Sequence, residues 1–115
     1  MPILVINTNV ASSKIPPNFI TELSSLVAKL LSKPETYVSI LVKPDQMMTF
    51  GGSTDPCAQC SLSSIGQLGQ EENKRYTAAL MEKINRELKI PVNRMYLSFQ
   101  DMSRANCGWN GSTFA

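Results

Sequence analysis

Residues 1–10 read MPILVINTNV. In an extended chain Ile3, Val5 and Asn7 share one face, and Leu4, Ile6 and Thr8 share the other. Apolar side chains on both faces describe a strand covered on both sides, and this one starts at once. Pro2 stands at its head. A proline whose preceding residue has been removed carries a free secondary amine, and a strand beginning this early would hold that nitrogen inside the fold. The ring also fixes φ, so the terminus would be held rigidly.

Outward from that stretch the pattern is regular. SSKIPPN supplies turn and helix-start signals, and Phe19, Leu23, Leu26, Val27 and Leu30 then recur at helical spacing. SKP closes the helix, because Pro34 does not continue it. TYVSILVK, residues 36–43, reads as a second strand, rich in β-branched and aromatic residues. A loop dense in Gly and Pro, PDQMMTFGGSTDP, separates the halves. CAQCSLSSIG is a third, weaker strand. The spacing predicts a helix over 71–89, with Tyr76, Leu80, Ile84 and Leu88 on one face. Glu71 and Glu72 lie in its first turn and Arg86 and Lys89 in its last, as the helix dipole favours. After Pro91, RMYLSFQDM is the fourth strand. Asn110-Gly111, between Trp109 and Phe114, is a hairpin signal.

Strand–helix–strand therefore occurs twice, with Tyr37 and Tyr96 following the two helix-stop prolines. A crossover helix implies parallel pairing within each half. The expected fold is α+β: one domain over 1–115, a tandem βαβ repeat forming a four-stranded mixed sheet with two helices on one face. Those helices leave the other face bare. An apolar patch there would need a partner, so self-association through the open side of the sheet is expected.

Composition narrows the function. The 115 residues are 43% hydrophobic and 17% charged, with a net charge of +2. There is no run of Lys or Arg, so nucleic acid is not an expected partner. The opening apolar stretch, Ile3 to Ile6, is too short for a leader or a membrane span, so the expected residence is the cytoplasm, without membrane insertion. Export would take a non-classical route. The odd count of three cysteines argues against a secreted disulfide framework. There is no histidine, which removes Ser-His and Cys-His pairs and histidine metal sites. A general base must be a carboxylate, a lysine, a thiolate, a tyrosine or the amino terminus.

MPILVINTNV, SKPETYV, PDQMMTFGGSTDPCAQCSLSSIG and NRMYLSFQDM…GWNGSTFA resemble the macrophage migration inhibitory factor family of the tautomerase superfamily, along the whole chain. The resemblance implies a homotrimer in which three sheets surround a central channel. It also implies keto–enol tautomerisation of phenylpyruvate-like α-keto acids and dopachrome-type compounds, with no cofactor. After loss of Met1, Pro2 would be the catalytic base, at a pocket between subunits. A terminal amine has an ordinary pKa of about 7.7–8.0, and burial and a nearby cation both favour its neutral form. Lys33 matches the carboxylate-binding lysine, and it is equally well placed to act as a helix C-terminal cation. Ser64 and Ile65 match a strand whose backbone meets substrate. Tyr37, Tyr96, Trp109 and Phe114 match pocket aromatics, with Tyr96 supplied by the adjacent subunit.

Three positions depart from the family pattern. Ser98 replaces a substrate-binding Asn, Ser63 a frequent His, and Cys107 a branched aliphatic in the pocket wall. CSLSSIG is also similar to the D-dopachrome tautomerase branch, whereas GWNGSTFA and the second cysteine of CxxC favour the migration inhibitory factor branch.

Cys57-Ala-Gln-Cys60 is a redox candidate by resemblance. It lies in strand-like sequence, where residues three apart point to opposite faces, so structural thiols are the favoured reading. Zinc would need four ligands, which three cysteines without motif spacing do not provide. Asn110-Gly111-Ser112 is a glycosylation sequon that the hairpin explains. Pro17 and Glu22 match positions proposed for a nuclease role, which one carboxylate supports poorly. The second class of function is a cytokine-like ligand for cell-surface receptors, with tautomerase activity vestigial. Asp45 is present for that role, but Ser12 stands where vertebrate members carry an arginine.

Overall fold

The computed structural model describes residues 1–115. Four strands, β1 (Ile3–Thr8), β2 (Ser39–Lys43), β3 (Ala58–Ser64) and β4 (Met95–Asp101), form one sheet in the order β2-β1-β3-β4. β1 runs parallel to β2, β3 runs parallel to β4, and the two halves meet antiparallel along β1 and β3. The expected mixed sheet is therefore present. Helices α1 (Phe19–Leu31) and α2 (Gln70–Leu88) supply the two crossovers.

The alternation of β1 decides which side is core. Leu4, Ile6 and Thr8 are fully buried, and Ile3, Val5 and Asn7 are half-buried. Leu4 and Ile6 join Phe19, Leu23, Val27 and Leu31 of α1 and Tyr76, Leu80, Ile84 and Leu88 of α2 in one apolar cluster. Each such side chain contributes about 1.5–3 kcal/mol by leaving water. Thr8 is polar yet wholly buried, and its hydroxyl is satisfied twice. It donates to the Cys57 carbonyl at 2.8 Å and accepts the Val10 N–H at 3.1 Å. Lys83 of α2 is also buried. Its ammonium binds Glu22 of α1 and, at 3.1 Å, Glu87 of its own helix. Glu22, matched in sequence to a nuclease role, is thus one end of a bridge between the helices.

The open face differs from expectation. It carries Ile3, Val5 and Leu41, but around them stand Ser39, Lys43, Asn7, Gln59, Ser61, Ser63, Ser98 and Gln100. Only β1 and β2 bring aliphatics there, and β3 and β4 present polar residues apart from the exposed Tyr96. The face is amphipathic and mostly wettable.

The second strand is also shorter than its sequence indicates. Pro34 sets an extended backbone (φ −60°, ψ 134°) ahead of a 3-10 turn over Glu35–Tyr37, so β2 begins only at Ser39. Pro91 does the same before a turn over Val92–Arg94. The second-half counterpart of Tyr37 is therefore Arg94, while Tyr96 lies inside β4. Arg94 clamps the loop before β3, donating to the carbonyls of Phe50, Ser53, Asp55 and Pro56 at 3.0–3.1 Å. Asn9 holds the same loop, through Thr54, Asp55 and the Cys57 N–H. No helix is long and apolar enough to cross a membrane.

Candidate functional site

β1 is an inner strand, so the residue preceding it enters between two neighbours. Pro2 is buried, and its carbonyl accepts the Ser39 N–H at 3.0 Å. On the other side Ile3 faces Ser63 near the end of β3. The amino terminus is thereby fixed in the middle of the sheet edge.

Lys33 reaches this place from α1. The helix closes in a Schellman motif, with the Lys33 N–H bonded to the Ala28 carbonyl at 3.0 Å and the Ser32 N–H to Lys29 at 3.3 Å. Ser32 adopts the left-handed conformation (φ 52°) that this stop requires. The Lys33 side chain then turns toward β3 and donates to the Ile65 carbonyl at 2.9 Å. That bond positions the ammonium beside the terminus.

A cavity of about 270 Å³ opens there, walled by Met1, Lys33, Tyr37, Ile65, Arg104 and Phe114. Its aromatic side continues as a cluster. Tyr37 meets Trp109 edge-on at 5.2 Å and Phe114 at 5.8 Å, and Trp109 stacks on Phe114 at 5.8 Å. Trp109 belongs to a hairpin of β5 (Gly108–Trp109) and β6 (Ser112–Thr113). Asn110 (φ 53°) and Gly111 (φ 80°) make the type I′ turn that its sequence indicates. The Phe114 N–H returns to the Cys107 carbonyl at 3.2 Å, which ties the hairpin's end to its start. Cys107 is buried behind it.

No carboxylate lines this cavity. The amine of the chain terminus, here that of Met1, is held below its ordinary value of 8.0, first by burial and then by the Lys33 cation, with Cys107 opposing. Both leading causes disfavour the ammonium form. The arrangement offers an amine biased toward its neutral form, a cation that can take an anion, and an aromatic wall for an apolar group.

Other expected residues fall elsewhere. Ser64 faces the core, fully buried, with its hydroxyl unpartnered and its carbonyl bound by the Met102 N–H. It does not line the cavity, although its neighbour Ile65 does. Tyr96 is 69% exposed and packs on Phe50 at 4.9 Å. Ser98 lies on the open face, within 3.4 Å of the Cys60 carbonyl. Gln59 is opposite both Asn7 and Tyr96, so Tyr96 sits at the far end of the sheet from Pro2. The separation along the strand alone is about 16 Å. One chain does not bring them together.

The three cysteines are free and buried. Burial pushes the Cys60 thiol up to about 12, the opposite of what a redox thiolate needs. Sequence reading missed Arg104, in the turn Arg104–Asn106, and the wall formed by Met1. A loop arginine has no periodicity to mark it, and only the packing of this turn against the amino terminus shows where it points. A larger cleft, about 600 Å³, lies at the other end of β1 near Lys14, Thr54, Pro56 and Lys89. It has neither a terminal amine nor an aromatic wall, and the smaller cavity is the better candidate.

Comparison with known proteins agrees with this geometry. The family described as "Macrophage migration inhibitory factor (MIF)" matches residues 1–115. The chain belongs to this family. A macrophage migration inhibitory factor of Xenopus tropicalis is 49% identical over 115 residues, all of both chains. The solved structure of the factor from Trichinella spiralis superposes with a TM-score of 0.95 at 41% identity, covering 97% of this chain and 99% of that one. A homologue from Prochlorococcus marinus gives a TM-score of 0.91 at 34% identity, over 98% and 99%.

Proposed function

We propose that the chain is a keto–enol tautomerase acting on phenylpyruvate-like α-keto acids and dopachrome-type compounds, with the nitrogen of Pro2 as base once Met1 is removed. The observation that carries this reading is a chain-terminal amine held below its ordinary value, at a cavity where the other charged groups are Lys33 and Arg104. With Met1 gone, the Pro2 nitrogen becomes that terminus, inside the same buried surroundings. Proline's secondary amine is intrinsically somewhat more basic, and burial and Lys33 offset this.

The substrate's carboxylate pairs with Lys33 while its aryl group packs on Tyr37, Trp109 and Phe114. Pro2 takes the proton from the carbon beside the ketone, and charge develops on the ketone oxygen. The prolinium then returns the proton to that oxygen, giving the enol. Ile65 holds Lys33 through its carbonyl, and Cys107 packs behind the hairpin. The working unit is a homotrimer of these single domains. In it Tyr96 of a neighbouring copy completes the pocket, and Ser98 offers a shorter polar anchor than the family's Asn. The polar side chains of the open face then line a central channel.

The test is Pro2→Gly, assayed with phenylpyruvate after intact-mass measurement shows Met1 absent. Turnover should fall by about 10²-fold or more while the assembly survives. Near wild-type turnover would reject the proline mechanism.

A second reading, favoured by the names of the chain's relatives as migration inhibitory factors, is a cytokine-like ligand for cell-surface receptors. It places the chain in the cytoplasm and, after non-classical release, outside the cell. The Asp45 carboxylate accepts the Ser12 N–H at 3.4 Å, where vertebrate members carry an arginine, so this surface lacks that cation. Inactive wild type with a free Pro2 would leave the ligand reading standing.

A further inference from the structure

Two cations line the candidate cavity, and a single α-carboxylate needs one. Lys33 is already oriented by the Ile65 carbonyl and faces the terminal amine. Arg104 lines the same cavity from the turn after β4. The ion pairs of the chain all involve Lys74, Lys83 or Arg86 with glutamates of the helices, and neither Lys33 nor Arg104 enters one. Asp101, the acid nearest to Arg104 in sequence, accepts the Gly66 N–H at 3.0 Å instead. Arg94, by contrast, is fully engaged with backbone carbonyls. Arg104 is therefore a guanidinium at a cavity mouth with no internal anion.

We infer that Arg104 is a second anion-binding group of this cavity and selects aryl keto acids that carry another carboxylate beyond the α-keto acid group. This rests on the tautomerase reading for its substrate class. The planar guanidinium fork suits a carboxylate through two parallel hydrogen bonds. Tyr37 and Phe114 line the same space, so the ring joining the two anionic ends has an apolar wall to lie on. With no carboxylate in the lining, a dianion meets no fixed negative side chain there.

The experiment compares phenylpyruvate with 4-carboxyphenylpyruvate for wild type, Arg104→Ala and Arg104→Lys. Arg104→Ala should lower kcat/KM for the dianion about tenfold more than for phenylpyruvate, and Arg104→Lys should recover part of that difference. Equal losses on both substrates, or none on the dianion, overturn the inference. A binding arm separates this from the catalytic reading. Trp109 is the sole tryptophan and stacks on Phe114 of the cavity wall, so its fluorescence reports occupancy. Benzene-1,4-dicarboxylate should bind more tightly than benzoate to wild type but not to Arg104→Ala. That preference without turnover of either keto acid would sink the tautomerase and spare the anion site. Turnover without the preference would do the reverse.

Discussion

Lys33 acts on two partners with opposite needs. In the proposed mechanism its charge attracts an acid group, and the same charge lowers the pKa of the adjacent amine. The amine lies below its ordinary value first through burial and second through Lys33, so Lys33→Met removes only the second cause. A base works when neutral, and the acid limb of its pH profile follows its pKa. In Lys33→Met that limb should move to higher pH, together with a raised KM. The check is kcat/KM for phenylpyruvate between about pH 5 and 9. An unmoved limb would show that Lys33 does not act on the base. At this scale the strand start at Pro2 and the helix stop beside Lys33 were legible from local pattern, while the roles proposed for both come from the family resemblance. Arg104 was not, because a charged loop residue looks alike whether it faces solvent or a cavity. Ser64 was read as a site residue through its backbone alone, and strand alternation turns its side chain to the core.

Between elements, the buried bridge of Lys83 to Glu22 and Glu87 joins α1 to α2. Lys83→Met leaves the two carboxylates facing each other without their cation. Because Glu22 is half exposed and screened by water, the expected destabilisation is about 1–2 kcal/mol, below that of a fully buried pair. Urea midpoints at neutral pH measure it, and an unchanged midpoint would show the bridge to be neutral. The ammonium is raised above 10.5, chiefly by the hydrogen bond it donates to Glu22. The bridge's contribution is therefore complete below pH about 10.5 and lost as pH climbs through the raised value. Both βαβ units were legible from periodicity and proline stops. The start of β2 was not, since β-branched residues mark a strand without fixing where a 3-10 turn hands over to it. The Arg94 clamp was also hidden, because its partners are backbone carbonyls.

For the molecule as a whole, sheet order sets the assembly question. Pro2 and Tyr96 occupy opposite ends of the sheet, so a pocket using both needs two copies. Mixed assemblies test this. Pro2→Gly and Tyr96→Ala should each be weak alone. Unfolding and refolding them together in equal amounts should restore about a quarter of wild-type activity, the share of interfaces that pair two intact halves. No recovery would place Tyr96 outside the site. Strand pairing was legible, but what covers the open face was not. An apolar reading of β1 and β2 overstated the need for cover, since β3 and β4 bring serines and glutamines to the same surface.

The first side chain has a consequence for how the proposed base comes into being. Met1 is only 9% exposed and forms part of the cavity wall, so once the strands have zipped together a trimming peptidase has almost nothing to grip. In the proposed mechanism, the cut that frees Pro2 must therefore come on the nascent chain. A copy that keeps its leading residue holds that side chain against the cavity, and its Pro2 nitrogen stays an amide without basicity.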